Sequence, residues 1–521
     1  MAEALLHDDD LRRIAARGLA AEDVQRQLAL LRNPPPYTRL ERACTPGDGI
    51  RVPSAEEIAG ALRLHAEAAE EGRFSTFIPA SGAATRMFRA LLAVHERDRD
   101  ARRADLERRA AEGDADAREV LVFADGLHRF AFAEALRDAM RARGLELDAA
   151  LREGRVGAIL EHVLTARGLD YASLPKGLLL FHRYPGGPRT PLEEHLVEAA
   201  SYARSREGIA RLHVTVSPQH LAGFRALLDA VERGHEQRLG TRFEVTFSHQ
   251  EPSTDTVAVD LAGNPFRDAD GALLFRPGGH GALLGNLERT GADVVYVKNI
   301  DNVVPDHLKA PIVHWRKVLG GILVGLQAKA FAALARLEHD GGEDAIAGAT
   351  RLLERDLDVA PPRDFAAWPL ERRRGWATGK IDRPLRVCGM VRCAGDPGGG
   401  PFWVRSRSGE ESRQIVETAQ VDGNDPQQRA LLGTSTHFNP VDLVCGLRDH
   451  RGHGYRLREH VDPDAVFISE KSFGGAKLRA LEHPGLWNGS MADWNTVFVE
   501  VPPETFNPVK TVNDLLSPRH Q

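Results

Sequence analysis

Cysteine is scarce. Cys44, Cys388, Cys393 and Cys445 are the only four in 521 residues, too few and too scattered for the disulfide framework of a small secreted domain, so a reducing compartment is expected. Cys388 and Cys393 stand five positions apart, and the neighbouring histidines complete no zinc-ligand spacing, which argues against a structural metal. An excess of one charge is also missing. With 68 Lys and Arg against 74 Asp and Glu the net charge is −6, so nothing attracts nucleic acid or an anionic membrane in bulk, and any phosphate site must be local. The N-terminus carries Asp8, Asp9 and Asp10 where a signal peptide would need a basic start and an apolar run. The longest apolar stretch, residues 318–334, is broken by Gln327 and Lys329 and falls short of the roughly 20 apolar residues a membrane helix needs. The expectation is a soluble, cytoplasmic protein with neither nucleic acid nor membrane as a partner.

What is present is an ordinary globular composition, 42% hydrophobic and 27% charged, able to bury a substantial core. Residues 1–72 are rich in Ala, Leu, Arg and Glu, with Ser54 and Glu57 placed as a capping box, and read as an N-terminal helical region. Residues 73–330 read as an α/β core. It opens with a short strand at 75–79 and a helix at 87–95, followed by a mixed-charge helical insertion over about 96–170 whose first part is a solvated helix. Strand-like runs at 177–181, 212–216, 243–247 and 294–297 then alternate with helical runs at 192–203 and 218–233. That alternation predicts βαβ units and a mostly parallel sheet flanked by helices. Residues 331–385 form a helical segment and a linker, because 360–385 are rich in Pro, Trp and Arg without a clear period. Residues 386–521 read as a C-terminal α+β part with short strands and many turns.

The sharpest local signal is the small-residue turn after the first strand of the core, Ser81, Gly82, Ala83, Ala84 and Thr85, closed by Arg86. Such a turn lets backbone N–H groups approach phosphates at a helix N-terminus, and Arg86 adds a fixed cation; a simple tight connection is the alternative. Lys176 stands just before an expected buried strand, with a helix opening at Pro191, where it could pair with a polyphosphate or sit on a solvated strand edge. Asp301 and Asn302 follow the strand 294–297, on the side where ligands of open α/β sheets bind. Gln250 lies in a polar cluster, 248–255, that is a substrate loop or a solvated turn. His213 reads as a satisfied core histidine.

Taken together, these segments resemble the sugar nucleotidyltransferases, whose glycine-rich loop ends in Thr-Arg and whose lysine stands in a Pro-Lys-x-Leu-Leu segment ahead of a Pro-Leu-x-Glu helix, as Pro175 to Leu179 and Pro191 to Glu194 do here. Four more segments sharpen the resemblance toward UDP-glucose and UDP-N-acetylglucosamine pyrophosphorylases. Gly278, Gly279, His280 and Gly281 are similar to their Pro-Gly-His-Gly nucleotide loop, and Asp301-Asn302 to their Val-Asp-Asn strand end. Trp487-Asn488-Gly489 with Trp494-Asn495-Thr496 resembles their sugar-facing asparagine segment. Residues 506–516, containing Pro508-Val509-Lys510-Thr511, are similar to their Phe-x-Pro-Val-Lys-Thr-x-x-Asp-Leu-Leu segment. The whole chain also looks like a bacterial family, domain of unknown function 4301.

The resemblance implies a glycosyltransferase-A-like fold (nucleotide-diphospho-sugar transferase) and transfer of a nucleotidyl group from a nucleoside triphosphate, UTP by analogy, to a sugar 1-phosphate. Arg86, Lys176 and Lys510 would neutralise charge at the reacting phosphates, Asp301 would hold Mg²⁺, the two glycine-containing loops and His280 would hold the nucleotide, and Asn488, Asn495, Gln250 and Asn302 would meet the sugar side. Departures from the pattern are Ala83 and Ala84, where relatives have more glycine and each added methyl hinders phosphate approach, and Ala282, where relatives carry an acid. They leave a second reading, a catalytically silent nucleotide-sugar-binding protein.

Overall fold

The computed structural model describes residues 6–82, 84–393, 399–406 and 409–521. The chain divides into two compact units, each stitched from separated segments: unit 1 comprises Met1–Phe77, Ser248–Val297 and Lys317–Pro503, and unit 2 comprises Ile78–Phe247, Lys298–Arg316 and Glu504–Gln521.

Unit 1 holds mixed β-structure. Its largest run of strands is ordered Thr45–Pro46, Gly49–Arg51, Asn495–Glu500, Leu385–Arg392, Asp442–Gly446, Val294–Lys298, Phe74–Pro79. Asn495–Glu500 runs parallel to Leu385–Arg392, with Leu385 facing Asn495 and Met390 facing Glu500, while Asp442–Gly446 pairs antiparallel on the other side. Phe74–Pro79 is parallel to Val294–Lys298. Two smaller sheets are antiparallel throughout their assigned pairings, one of three strands and one of four. The class is α/β: within the long run of strands four of the pairings are parallel, as the alternation of runs predicts for the core, and the antiparallel small sheets are an addition the sequence did not announce. The N-terminal region has the expected helices Asp8–Ala16, Ala21–Arg32 and Ala55–Glu70, but also the short strand Leu40–Ala43. The capping box is real: Ser54 Oγ accepts from Glu57 N at 3.2 Å, and Glu57 accepts from Ser54 N at 2.8 Å.

The helix Lys309–His339 begins in unit 2 and continues into unit 1. By length and composition it could cross a membrane, yet in unit 1 it behaves as a core helix. Val318, Leu319 and Leu323 are fully buried, and Gln327 accepts from Arg73 at 2.7 Å. Two glycines allow the close packing. A Cβ on Gly320 would lie 2.1 Å from the Tyr296 hydroxyl, and one on Gly321 would lie 1.8 Å from the Ala61 carbonyl. The helix ends at His339, Gly341 follows with a φ of +59° that suits glycine, and Glu343–Asp356 is the next helix. The expected linker contains another helix, Leu370–Ile381, joined to its predecessor by the Arg373–Glu343 ion pair and carrying Trp376, whose ring meets Phe365 at 4.9 Å. Of its residues only Ala377 and Ile381 are buried, too few to leave an apolar period in the sequence.

Unit 2 has a helical part and a strand part. Helices Arg89–Arg97, Arg103–Ala111, Ala115–Asp125, Ala133–Arg141 and Val156–Leu164 enclose an aromatic core in which Phe130 and Phe132 stack at 4.9 Å. Ile209–Thr215 and Arg242–Ser248 are neighbouring strands, and Leu221–Leu239 and Pro191–Tyr202 supply the helices expected near them. His213 is half-exposed and pairs with Thr246 across the strands at 2.8 Å, so it is not a core histidine. Residues 177–181 are not a strand: Pro175 opens a 3-10 turn over Lys176–Leu178, and Gly177 lets Phe224 approach to within 2.8 Å of where a Cβ would stand.

The glycine contacts yield a first prediction. Gly321→Val should cost at least about 1–3 kcal/mol, because the added atoms meet backbone rather than a movable side chain. Chemical denaturation would show it as a lower midpoint at unchanged slope, and a wild-type midpoint would rule out the close helix contact.

Candidate functional site

The expected phosphate-side residues are in unit 2, and main-chain bonds tie their segments together. The turn leaves the strand at Pro79; Ala80 N–H donates to Thr215 O at 2.9 Å, and the Ser81 carbonyl accepts from Ser217 Oγ at 2.6 Å. Ala83 lies outside the described residues. Ala84 N–H donates to Leu174 O at 3.0 Å, which places the turn two residues from Lys176 and removes that amide from any phosphate cradle. A single 3-10 turn, Ala84–Arg86, precedes the helix that starts at Arg89, so a helix dipole contributes less here than the sequence implied. Gly82, Thr85 and Arg86 are exposed. Gly82 does not have a positive φ, and a Cβ there would meet nothing within 4 Å, so neither strain nor packing among the described residues explains the glycine. Close approach of a ligand would.

Lys176 is the centre of the arrangement. Its ammonium lies 2.6 Å from Asp301 Oδ2 and donates to the Val509 carbonyl at 2.7 Å, with only 14% and 18% of the Lys176 and Asp301 side chains exposed. The segment bearing Val509 is laced to the segment bearing Asp301. Val509 N–H donates to Asp301 O at 3.1 Å, Asn507 N–H donates to Asn302 Oδ1 at 2.8 Å, and Asn302 pairs with Pro508 in an isolated bridge. Asn302 is buried, and both of its amide groups serve this splice. Lys510 comes next, exposed, its N–H donating to Asp514 at 2.7 Å and its ammonium 5.5 Å from the Phe506 ring centre. Val512 N–H then donates to Met87 O at 3.0 Å, closing the circuit back to the turn. The structure thus brings together the turn, Lys176, Asp301, Asn302 and Lys510. Among the described residues no group of three or more His, Cys, Asp or Glu could hold a metal. A cation at Asp301 would draw the rest of its oxygen shell from ligand phosphates, a mode open to Mg²⁺.

The sequence reading missed what supports Asp301. The helix Pro191–Tyr202 turns Glu193, Glu194, His195 and Glu198 inward. Glu198 and Lys298 form a fully buried ion pair, and His195 meets the Ile300 carbonyl at 3.2 Å. Lys298 holds Glu198 below the usual carboxylate range against the opposing effect of burial, while burial pushes His195 down to about 4. The segment Lys298 to Asp301 is thereby fastened from behind. A carboxylate spacing of four on a Pro-capped helix was the available signal.

The remaining residues belong to unit 1. Gly278, Gly279 and Gly281 fold onto the segment Glu482 to Pro484: their hypothetical Cβ atoms would lie 2.4 Å from Thr254 O, 2.7 Å from Glu482 Oε2 and 2.0 Å from Pro484 O. His280 Nδ1 accepts from Leu486 N at 2.9 Å, and its ring stacks on Trp487 at 4.1 Å and 11°. Burial pushes His280 down to about 4, so at neutral pH the ring is uncharged and its Nε2 carries the proton. Ala282 is buried. Asn488 and Asn495 use their amide nitrogens on the Ile415 and Ile381 carbonyls, at 2.9 and 3.1 Å. Gln250 reaches Asp255 at 3.4 Å. Asn286, which the sequence reading passed over, holds Ser248 and the His249 carbonyl at 2.7 Å each.

Residues 7–521 match the family model described as Domain of unknown function (DUF4301), and the chain belongs to that family. Comparison with curated proteins finds no match. Among solved structures the chain is similar to the uridine diphosphate N-acetylglucosamine pyrophosphorylase of Trypanosoma brucei in complex with inhibitor, at 13% identity and a TM-score of 0.46, covering 98% of this chain and 81% of that one. It is also similar to a UDP-glucose pyrophosphorylase mutant of Leishmania major, at 18% identity and a TM-score of 0.35, covering 66% and 61%.

Two outcomes are expected. Glu198→Ala leaves the Lys298 ammonium in the core without its carboxylate and should lower unfolding free energy by about 3–5 kcal/mol, measured by denaturant titration. The His280 ring should remain uncharged from about pH 8 to about pH 5 in nitrogen-detected NMR; titration near the ordinary imidazole value of about 6.5 would contradict its enclosure.

Proposed function

We propose that the chain is a nucleotidyltransferase that moves a nucleotidyl group from a nucleoside triphosphate, UTP in the first instance, to a sugar 1-phosphate. The observation that carries this reading is the meeting of Lys176, Asp301 and Val509 at one point, with Gly82, Thr85 and Arg86 exposed on the turn tied to Leu174 and with Lys510 next in the chain. In such a transfer a sugar-phosphate oxygen attacks the α-phosphorus and pyrophosphate leaves. Alignment and charge neutralisation dominate the barrier, and little side-chain proton transfer is required.

Each residue has a task on this reading. The amides near Gly82 and the Arg86 guanidinium hold phosphate oxygens, with no Cβ at Gly82 to keep them away. Lys176 spends two of its three N–H bonds on Asp301 and Val509, which fixes the ammonium rigidly and leaves one bond for a phosphate oxygen. Lys510, exposed on the following residue, supplies a second and more mobile cation. Asp301 would hold Mg²⁺, which supplies further neutralisation of the phosphate oxygens. In unit 1, His280 offers a neutral N–H donor suited to a nucleoside or sugar acceptor.

A second reading, a nucleotide-sugar-binding protein without turnover, draws on two observations. The Ala84 amide is already spent on Leu174, and the Asp301 carboxylate is already neutralised by Lys176. Pyrophosphate release from a panel of nucleoside triphosphates and sugar 1-phosphates with Mg²⁺ separates the two: the enzyme reading requires turnover with at least one pair, and ligand-raised stability without turnover selects the binder. Lys510→Ala should lower kcat by about 10²–10³ while changing nucleotide affinity little, as expected of a contact made mainly in the transition state. Asp301→Asn should abolish metal-dependent turnover in a folded protein. Unchanged kinetics in either variant would remove that residue from the mechanism.

A further inference from the structure

Asp301 is a single carboxylate with an ammonium already on it. Its Oδ2 takes the Lys176 bond at 2.6 Å, and its Oδ1 has no hydrogen-bond partner among the described residues. Neither side chain makes another ion pair there, so the two charges answer each other. Asp514, the acid that follows in the C-terminal segment, accepts from the Lys510 and Thr511 amides. Lys510 adds a positive charge one residue beyond Val509, with no ion pair among the described residues.

The Lys176 ammonium also stands where a cation would. It lies between two oxygens, Asp301 Oδ2 at 2.6 Å and the Val509 carbonyl at 2.7 Å, with only 14% of its side chain exposed. A free divalent cation that takes Oδ1 therefore gains one carboxylate and meets an ammonium on the same group. Attraction and repulsion largely offset each other, and Mg²⁺ gives up its water reluctantly. A cation carried by a polyphosphate differs on both counts. Phosphate oxygens already fill part of its oxygen shell, and their negative charge suits the ammonium, whose third N–H bond has no partner among the described residues.

We propose that Lys176 is an internal counter-ion that bars free divalent cations from Asp301 and admits them only as complexes with a polyphosphate. The identity of that polyphosphate, a nucleoside triphosphate, rests on the transfer reading; the exclusion of the free cation concerns the chain alone. The neutralised carboxylate is then a selective device rather than a sign of lost chemistry, and metal and polyphosphate enter together.

Manganese(II), a paramagnetic cation suited to carboxylate and phosphate oxygens, tests this on the full chain. It broadens the amide NMR signals of residues near it, and Asn302 and Val509 report on the surroundings of Asp301. Free Mn²⁺ at millimolar concentration should leave these signals of the wild type unchanged. Lys176→Met, which removes the charge, should let free Mn²⁺ broaden them with an affinity at least about tenfold higher. Lys176→Gln, which keeps a neutral donor, should do the same, and adding Asp301→Asn to either variant should abolish the gain. Inorganic tripolyphosphate and, separately, UTP should each bring Mn²⁺ to the wild-type site. Broadening of the wild type by Mn²⁺ alone, no gain in either folded Lys176 variant, or no effect of tripolyphosphate would overturn the proposal. An effect of tripolyphosphate without one of UTP would uphold it and count against the transfer reading.

Discussion

One ammonium group organises unit 2. Lys176 joins a carboxylate 125 residues away to a carbonyl 333 residues away, and without it the segments bearing Asp301 and Lys510 would be joined by neutral hydrogen bonds of the main chain and the Asn302 amide. A half-buried lysine placed this way is costly unless its proton donors are used, and Asp301 and Val509 use two of them. The fully buried Lys298–Glu198 pair repeats the pattern one layer deeper, on the same strand end. A deep pair of this kind is weak evidence for added stability, since desolvation offsets much of the attraction. What it supplies is position: Asp301 cannot drift while Lys298 is fastened to the helix Pro191–Tyr202.

How far the sequence spoke for these arrangements differs from residue to residue. The turn around Gly82, Lys176 and Asp301 could be picked out because glycine, lysine and aspartate beside strands have a limited set of physical uses, whereas Lys510 was picked out through the resemblance of its segment alone. Their mutual contacts left no trace, because hydrogen bonds between residues hundreds of positions apart impose no local period. Gly278 and Gly281 stood out through the resemblance of their loop, but a steric reason accounts for them: the Thr254 and Pro484 carbonyls occupy the space of a side chain. The 177–181 run was misread because its apolar residues suit a strand, while Pro175 starts a tight turn that apolarity does not reveal. Helix Leu370–Ile381 escaped because it buries too little to show a stripe.

The two asparagines of the C-terminal part show how a motif can mean more than its resemblance. Asn488 and Asn495 were picked as groups for sugar hydroxyls, and each spends its amide nitrogen on a main-chain carbonyl of unit 1. Bracing of this sort is itself a use for asparagine, whose side chain satisfies a buried acceptor that no neighbouring strand reaches. His280 is a similar case. Its ring is fixed on both faces of its chemistry, by the Leu486 amide and by the Trp487 indole, so whatever it recognises meets a rigid donor.

The reach of Lys176 also sets a schedule for the newly made chain. Val509 leaves the ribosome 333 residues after Lys176, an interval of roughly 17–67 s at about 5–20 residues per second. Once Asp301 is made, 125 residues after Lys176, the ammonium and its carboxylate can meet, but their third partner does not yet exist. The helical core around Phe123 and Phe130 draws mostly on contacts within residues 84–181, which favours early formation, but Val509, Val512 and Leu515 belong to the same core, so a nascent chain would carry a helical scaffold and a centre that both wait for the C-terminus. Until then the 298–302 segment is held on one side only, by Glu198 and His195, and its other side waits for residues 505–509.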